Sequence, residues 1–157
     1  MLDEGLAIID GLFSGRPFSF RGEHYRLDEV EFLPVPLQLP RIPVWLAATW
    51  PVRAPFRRAV RWDGVWPIRR NPDGTSVTLT PDEVRGIRDL VRELRRSPDP
   101  FDILVHGSTL GADPRRAAET AQAIAEAGAT WWTERINLGH GTYEQLRDRV
   151  RQGPPRA

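Results

Sequence analysis

The chain has no cysteine, which excludes disulfides, thiolate nucleophiles and Cys-ligated zinc or iron–sulfur sites. It also has no lysine: all 22 basic residues are arginine, a bias we read as GC-rich coding and not as a phosphate-reading surface. With 21 acidic residues the formal net charge is only +1. No large field is available to hold a polyanion, so nucleic acid is not an expected partner. Histidine is scarce, with 3 residues in all, and His106 and His140 share no ligand spacing. No metal site is expected. No apolar run approaches the roughly 20 residues that cross a bilayer. The opening Met1-Leu2-Asp3-Glu4 is acidic where a signal peptide is basic. A soluble, cytoplasmic protein without a membrane partner is expected. No Gly-x-Gly-x-x-Gly follows a strand, so a Rossmann-type nicotinamide site has no support.

What is present suits a globular domain: 157 residues, 40% of them hydrophobic and 27% charged. Leu2, Leu6, Ile9 and Phe13 recur at helical spacing and Gly15 ends the pattern. Residues 15–43 lose that period and read as a short hairpin-like excursion around Arg21-Gly22-Glu23. An extended connection follows, marked by Pro34, Pro36, Pro40 and Pro43. Beyond Pro43 a short apolar run is followed by an amphipathic helix, four times over. The strands are expected over 44–47, 65–68, 102–107 and 130–134. They are apolar almost throughout, as parallel strands covered on both faces are. The helices are expected over 52–61, 81–96, 114–127 and 143–151. Thr80-Pro81-Asp82-Glu83, Asp113-Pro114 and Thr142-Tyr143-Glu144-Gln145 carry N-terminal capping chemistry.

A closed (β/α)8 barrel needs eight such units and about 250 residues. Four units make half of one. A small open parallel sheet is the alternative, but it would begin on a strand, and Met1 stands at the threshold of a helix. The expectation is therefore an α/β fold, the C-terminal half of a (β/α)8 TIM barrel, with four parallel strands and the N-terminal half absent. A single partial barrel domain would span 1–157, with 15–43 as insertion or connector and 44–157 carrying the four βα units.

The chain resembles the bacterial-luciferase-like, flavin-dependent oxidoreductases, whose fold is a (β/α)8 barrel. The resemblance is carried by an ordered set of segments. These are the opening helix through Leu12-Phe13-Ser14-Gly15, then Phe20-Arg21-Gly22-Glu23-His24-Tyr25-Arg26-Leu27, Phe32-Leu33-Pro34-Val35-Pro36 and Ile42-Pro43-Val44-Trp45-Leu46-Ala47-Ala48. Arg61-Trp62-Asp63-Gly64-Val65-Trp66-Pro67-Ile68, Gly128-Ala129-Thr130-Trp131-Trp132-Thr133-Glu134 and Gly153-Pro154-Pro155-Arg156 complete it. In the family these segments belong to the second half of the barrel. Members commonly place glycines after the strand equivalent to 44–47, whereas this chain reads Ala48-Thr49-Trp50-Pro51.

The resemblance implies an oxidoreductase or monooxygenase acting on a small organic substrate with reduced flavin (FMN), or in some relatives a deazaflavin. The cofactor would lie across the C-terminal strand ends, touching Ala48, Thr49, Ile68, Arg69, Ser108 and Glu134. Its phosphate would sit near Arg69 or the His106-Gly107-Ser108-Thr109-Leu110-Gly111 turn. The commoner reading of that turn is an ordinary glycine-containing βα turn, and of Arg69 and Arg70 solvated cations, while Glu134 reads equally as a salt-bridge partner of Arg135. Of Trp131 and Trp132, adjacent on a strand, one fills the barrel and the other packs under a helix. His24 reads as a loop residue. Catalytic residues are not assigned. The second hypothesis is a noncatalytic remnant or split-gene fragment, dependent on a missing N-terminal half or a homodimer partner, because a half barrel leaves strand edges and an apolar inner face open.

Overall fold

The computed structural model describes residues 1–109, 112–136, 139 and 141–154. Two compact units divide at Pro43 and Val44.

The first unit opens with helix α1 (Leu2–Leu12), followed by the antiparallel hairpin of β1 (Phe18–Arg21) and β2 (Arg26–Val30). Gly11 lets the β1 side come close, for a Cβ there would meet the Phe18 ring at 2.1 Å. The turn of the hairpin is held by Glu4, whose carboxylate accepts backbone N–H bonds from Glu23, His24 and Tyr25 at 3.1, 3.0 and 3.0 Å. Desolvation works to raise the Glu4 pKa, but these bonds and the nearby His24 outweigh it and hold it below the usual carboxyl value.

The second unit is built from β3 (Trp45–Thr49), α2 (Arg53–Ala59), β4 (Gly64–Arg70), β5 (Ser76–Val77), α3 (Pro81–Leu94), β6 (Asp102–Gly107), α4 (Pro114–Ala127), β7 (Trp131–Glu134) and α5 (Tyr143–Gln152). Strands β3, β4, β6 and β7 lie side by side in that order, all parallel. The capping signals act as the sequence predicts. Thr80 and Glu83 close a reciprocal capping box on α3, Thr142 and Gln145 do so on α5, and the Asp113 side chain accepts from the Arg116 N–H. Helix α4 ends at Gly128, where φ is +118°, a conformation that disfavours any residue with a Cβ. A further short strand appears that the apolar pattern does not announce. After Arg70 the chain turns through Asn71, Pro72, Asp73 and Gly74, and β5 returns antiparallel to the end of β4.

Strand alternation sorts the side chains onto two faces. Leu46 pairs in register with Val65, Val65 with Ile103, and Val105 with Trp132. These turn to the helix side, where Phe56, Val65, Val84, Ile87 and Val105 have no solvent exposure. Trp45, Ala47, Thr49, Trp66, Ile68, Leu104, His106, Trp131 and Thr133 share the opposite face. Trp66 and Trp131 stay 42% and 52% exposed on that face, while Leu104 between their strands is buried. Trp45 and Trp131 stand on the two outer strands and lean towards each other across this face, their ring centroids 5.4 Å apart. Gly64 makes room for this, since a Cβ on it would meet Trp45 at 2.6 Å.

The N-terminal edge of the sheet is tied by Arg95, just past α3. One of its terminal nitrogens donates to the carbonyls of Val60 and Trp62, the other to those of Asp99 and Pro100. Its guanidinium also lies over the Phe101 ring.

Candidate functional site

Because the four parallel strands run the same way, their C-terminal ends form one rim, where ligands of parallel α/β sheets are bound. Thr49 and Ile68 are register partners at this rim, and both belong to the face opposite the helices. Ser108 follows β6 and is exposed. The Ala48 side chain points to the helices and is 2% exposed, so only its backbone faces the rim. Arg69 is half-exposed and pairs through Nε with Glu83 at 3.0 Å. An exposed pair of this kind contributes about 0–1 kcal/mol and can be exchanged for another anion. Arg70 donates to the Gly74 carbonyl and so closes the β4–β5 turn.

Glu134 is placed differently from a carboxylate aimed at the open mouth. It lies on the helix side, where it accepts from the Thr109 N–H at 2.6 Å, the Thr109 hydroxyl at 3.0 Å and the Trp132 indole at 3.1 Å. Arg149 of α5 approaches it to 3.5 Å and donates to the Thr109 hydroxyl. The donors that the turn after β6 could offer a phosphate at Thr109 thus hold the chain's own carboxylate. Leu110, Gly111 and His140 lie outside the described residues. Trp132 faces the helix side and Trp131 the opposite face, the division expected of neighbouring strand residues.

The residues that sequence reasoning missed sit where β4, β5 and β6 meet. The Trp66 indole N–H donates to His106 Nδ1 at 2.8 Å, and the two rings meet edge to face. His106 Nε2 lies 3.1 Å from the Ser76 hydroxyl, and Arg135 donates to the Ser76 carbonyl at 3.1 Å. Burial first, then the positive charge of Arg135, lowers the His106 pKa from its usual 6.5. In the first unit, ligating atoms of Glu4, Glu23 and His24 lie within 4.8 Å of one another. The Glu4 oxygens already serve three backbone N–H groups, which accounts for the cluster without an ion.

Part-exposed aromatics on a sheet face beside a C-terminal rim offer a flat ring system a surface to lie on. A sequence profile described as luciferase-like monooxygenase matches residues 1–154. The chain belongs to the luciferase-like monooxygenase family. Among curated proteins none matches it. At the level of the family the chain is a domain of a flavin-dependent oxidoreductase, and luciferase-like members commonly use reduced flavin or a deazaflavin. The residues present fit the ring of such a cofactor better than its phosphate. Trp66, Ile68 and Thr49 give an apolar wall with a polar edge, whereas Thr109 is already engaged by Glu134. No described helix is long and apolar enough to cross a membrane.

Proposed function

We propose that the chain forms the C-terminal half of a (β/α)8 barrel in a flavin-dependent oxidoreductase that acts on a small organic substrate. The observation that supports this reading is the sheet itself, four parallel strands in sequence order with a helix between successive strands, as in consecutive units of such a barrel. Residues 1–157 would constitute one partial barrel domain, with 15–43 as connector. The inner face would be completed by four further βα units, supplied by another stretch of chain, a separate subunit or a second copy.

In this reading the cofactor lies over the rim. Thr49 and Ile68 border the ring, Ala48 contributes its backbone, Ser108 its hydroxyl, and Arg69 leaves Glu83 to meet a phosphate. Glu134 acts through Thr109, holding the turn that carries Ser108. Reduced FMN would supply oxygen-activating chemistry, and a deazaflavin would supply a hydride. The chain's own part is to hold the ring, orient it and keep one side of it dry. A second reading, a noncatalytic remnant, is favoured by the Glu134 carboxylate occupying the Thr109 donors.

Fluorescence titration with FMN and with riboflavin, on wild type and Arg69→Ala, tests the assignment. Weak binding of both to the wild type is expected, because half of the ring's walls are missing. Arg69→Ala should cost about 1.5 kcal/mol for FMN, the scale of one charge-assisted hydrogen bond, and nothing for riboflavin. Equal losses would show that Arg69 acts through the fold. Absence of flavin binding from a monodisperse monomer would favour the remnant. Tight stoichiometric binding by this chain alone would refute the half barrel.

A further inference from the structure

Trp66 stands 42% exposed, yet its indole N–H is directed at a protein acceptor. Water would satisfy an exposed N–H equally well. The Trp45 indole N–H, by contrast, is buried without an acceptor among the described residues. The purpose of the Trp66 bond therefore lies in what it does to His106.

An indole nitrogen only donates, so His106 Nδ1 must present a lone pair. A neutral imidazole then carries its proton on Nε2. Nε2–H consequently donates to Ser76 Oγ across the 3.1 Å contact, and the Ser76 hydroxyl becomes the acceptor in that pair. Its own proton is left to point elsewhere. Among the described residues no acceptor takes it, while Arg135 fixes the Ser76 backbone through the carbonyl. The chain of donors thus runs from the part-exposed Trp66 indole through His106 and ends at the Ser76 hydroxyl on the far side of the imidazole.

We propose that Trp66, His106 and Ser76 form a donor chain whose outer end, the Ser76 hydroxyl, binds a carbonyl or ionised oxygen on a flat ligand laid against Trp66. Ring carbonyls of a flavin are such oxygens; this choice of ligand rests on the flavin reading, whereas the donor chain does not. His106 is a positioning residue here. It sets the direction of the Ser76 proton and the angle of the Trp66 ring, and transfers no proton itself. The positive charge of Arg135 favours an electron-rich oxygen at the same place and disfavours a charged imidazole.

The arrangement requires neutral His106. Protonation puts a hydrogen on Nδ1, opposite the indole N–H, and breaks the bond that orients Trp66. The charged groups on the neighbouring elements leave this logic intact. Arg135 follows β7, Arg70 of β4 is tied to the Gly74 carbonyl, and Asp102 at the start of β6 accepts from the Thr130 hydroxyl.

The test is long-range 1H–15N NMR of the full chain labelled at histidine and tryptophan. At pH 8 the expected spectrum shows His106 protonated at Nε2 and bare at Nδ1. On acidification the His106 ring and the Trp66 indole should shift together, with a midpoint below 6.5. A ring protonated at Nδ1 at pH 8, or a Trp66 signal indifferent to the titration, overturns the donor chain. Millimolar FMN and, separately, uracil, a flat ring with two carbonyls, are then added. Each should move the Trp66 and His106 signals. Ser76→Ala should weaken both ligands about three- to tenfold, the scale of one neutral hydrogen bond. It should leave the Trp66–His106 signature in place, and Ser76→Thr should restore affinity. Ser76-dependent binding of uracil without binding of FMN overturns the flavin reading and upholds the donor site. Binding of both ligands unaffected by Ser76→Ala, or of neither, overturns the donor site.

Discussion

The two faces of the second unit's sheet are made from the same four strands and obey different rules. On the helix side Val65, Val105 and Phe56 are fully enclosed, and the polar groups at its end are partnered, Arg69 by Glu83 and Glu134 by Thr109, Trp132 and Arg149. On the other side Trp66 and Trp131 are part-exposed, and Trp66 bonds to His106, which in turn lies against Ser76 of β5. The first face is built for stability, and the second, if the proposed function holds, for contact with a ligand.

The comparison predicts a graded response to substitution. Phe56→Ala should remove about 4 kcal/mol of stability, the cost of emptying a fully enclosed aromatic site, measured by urea denaturation. Survival of the fold with less than about 1 kcal/mol lost would show that the helix side is loosely packed. Glu134→Gln should cost about 2 kcal/mol, since it leaves the nearly buried Arg149 without its carboxylate while Thr109 keeps an acceptor. An unchanged melting temperature would mean that α5 is held by Leu146 and its other apolar contacts instead. Trp131→Ser on the other face should cost about 1 kcal/mol, the scale of the lost ring contact with Trp45. It should reduce self-association in light scattering, since a contiguous apolar patch drives contact between molecules. A large stability loss there would mean that the face is part of the core after all.

Much of this was legible in the residues. Apolar runs without alternation announced parallel strands covered on both faces; the strands are parallel, but Trp66 and Trp131 on one face stay about half exposed. Thr80, Asp113 and Thr142 announced where helices begin, because capping chemistry is local and acts within four residues. Strand β5 was not announced, being only two residues long, too short for any period to show; the Asn71-Pro72-Asp73-Gly74 turn was its one available signal. The position of Glu134 was hidden for another reason. Trp131 and Trp132 are chemically alike, so the sequence offers no way to tell which of them faces a helix, and the parity of Glu134 follows from that choice. The Trp66–His106 bond joins residues forty positions apart. It is visible only once β4 and β6 are known to be neighbours and their register is set.

Arg95 has one more consequence. A guanidinium keeps its charge across the whole range in which proteins stay folded, so the loops it ties at the strand beginnings carry a clasp indifferent to acid and base. The strand ends carry His106 instead, whose folded pKa is lowered. Its neutral form is favoured in the folded chain above about pH 6.5, and that stability is lost as the pH falls through the folded value, because the unfolded chain takes up the proton first. Acid therefore acts on this sheet with a direction. It loosens the region around His106 while the strand beginnings stay fastened, and amide exchange in mild acid should quicken around Trp66 and Ser76 before it quickens around Trp62 and Asp99.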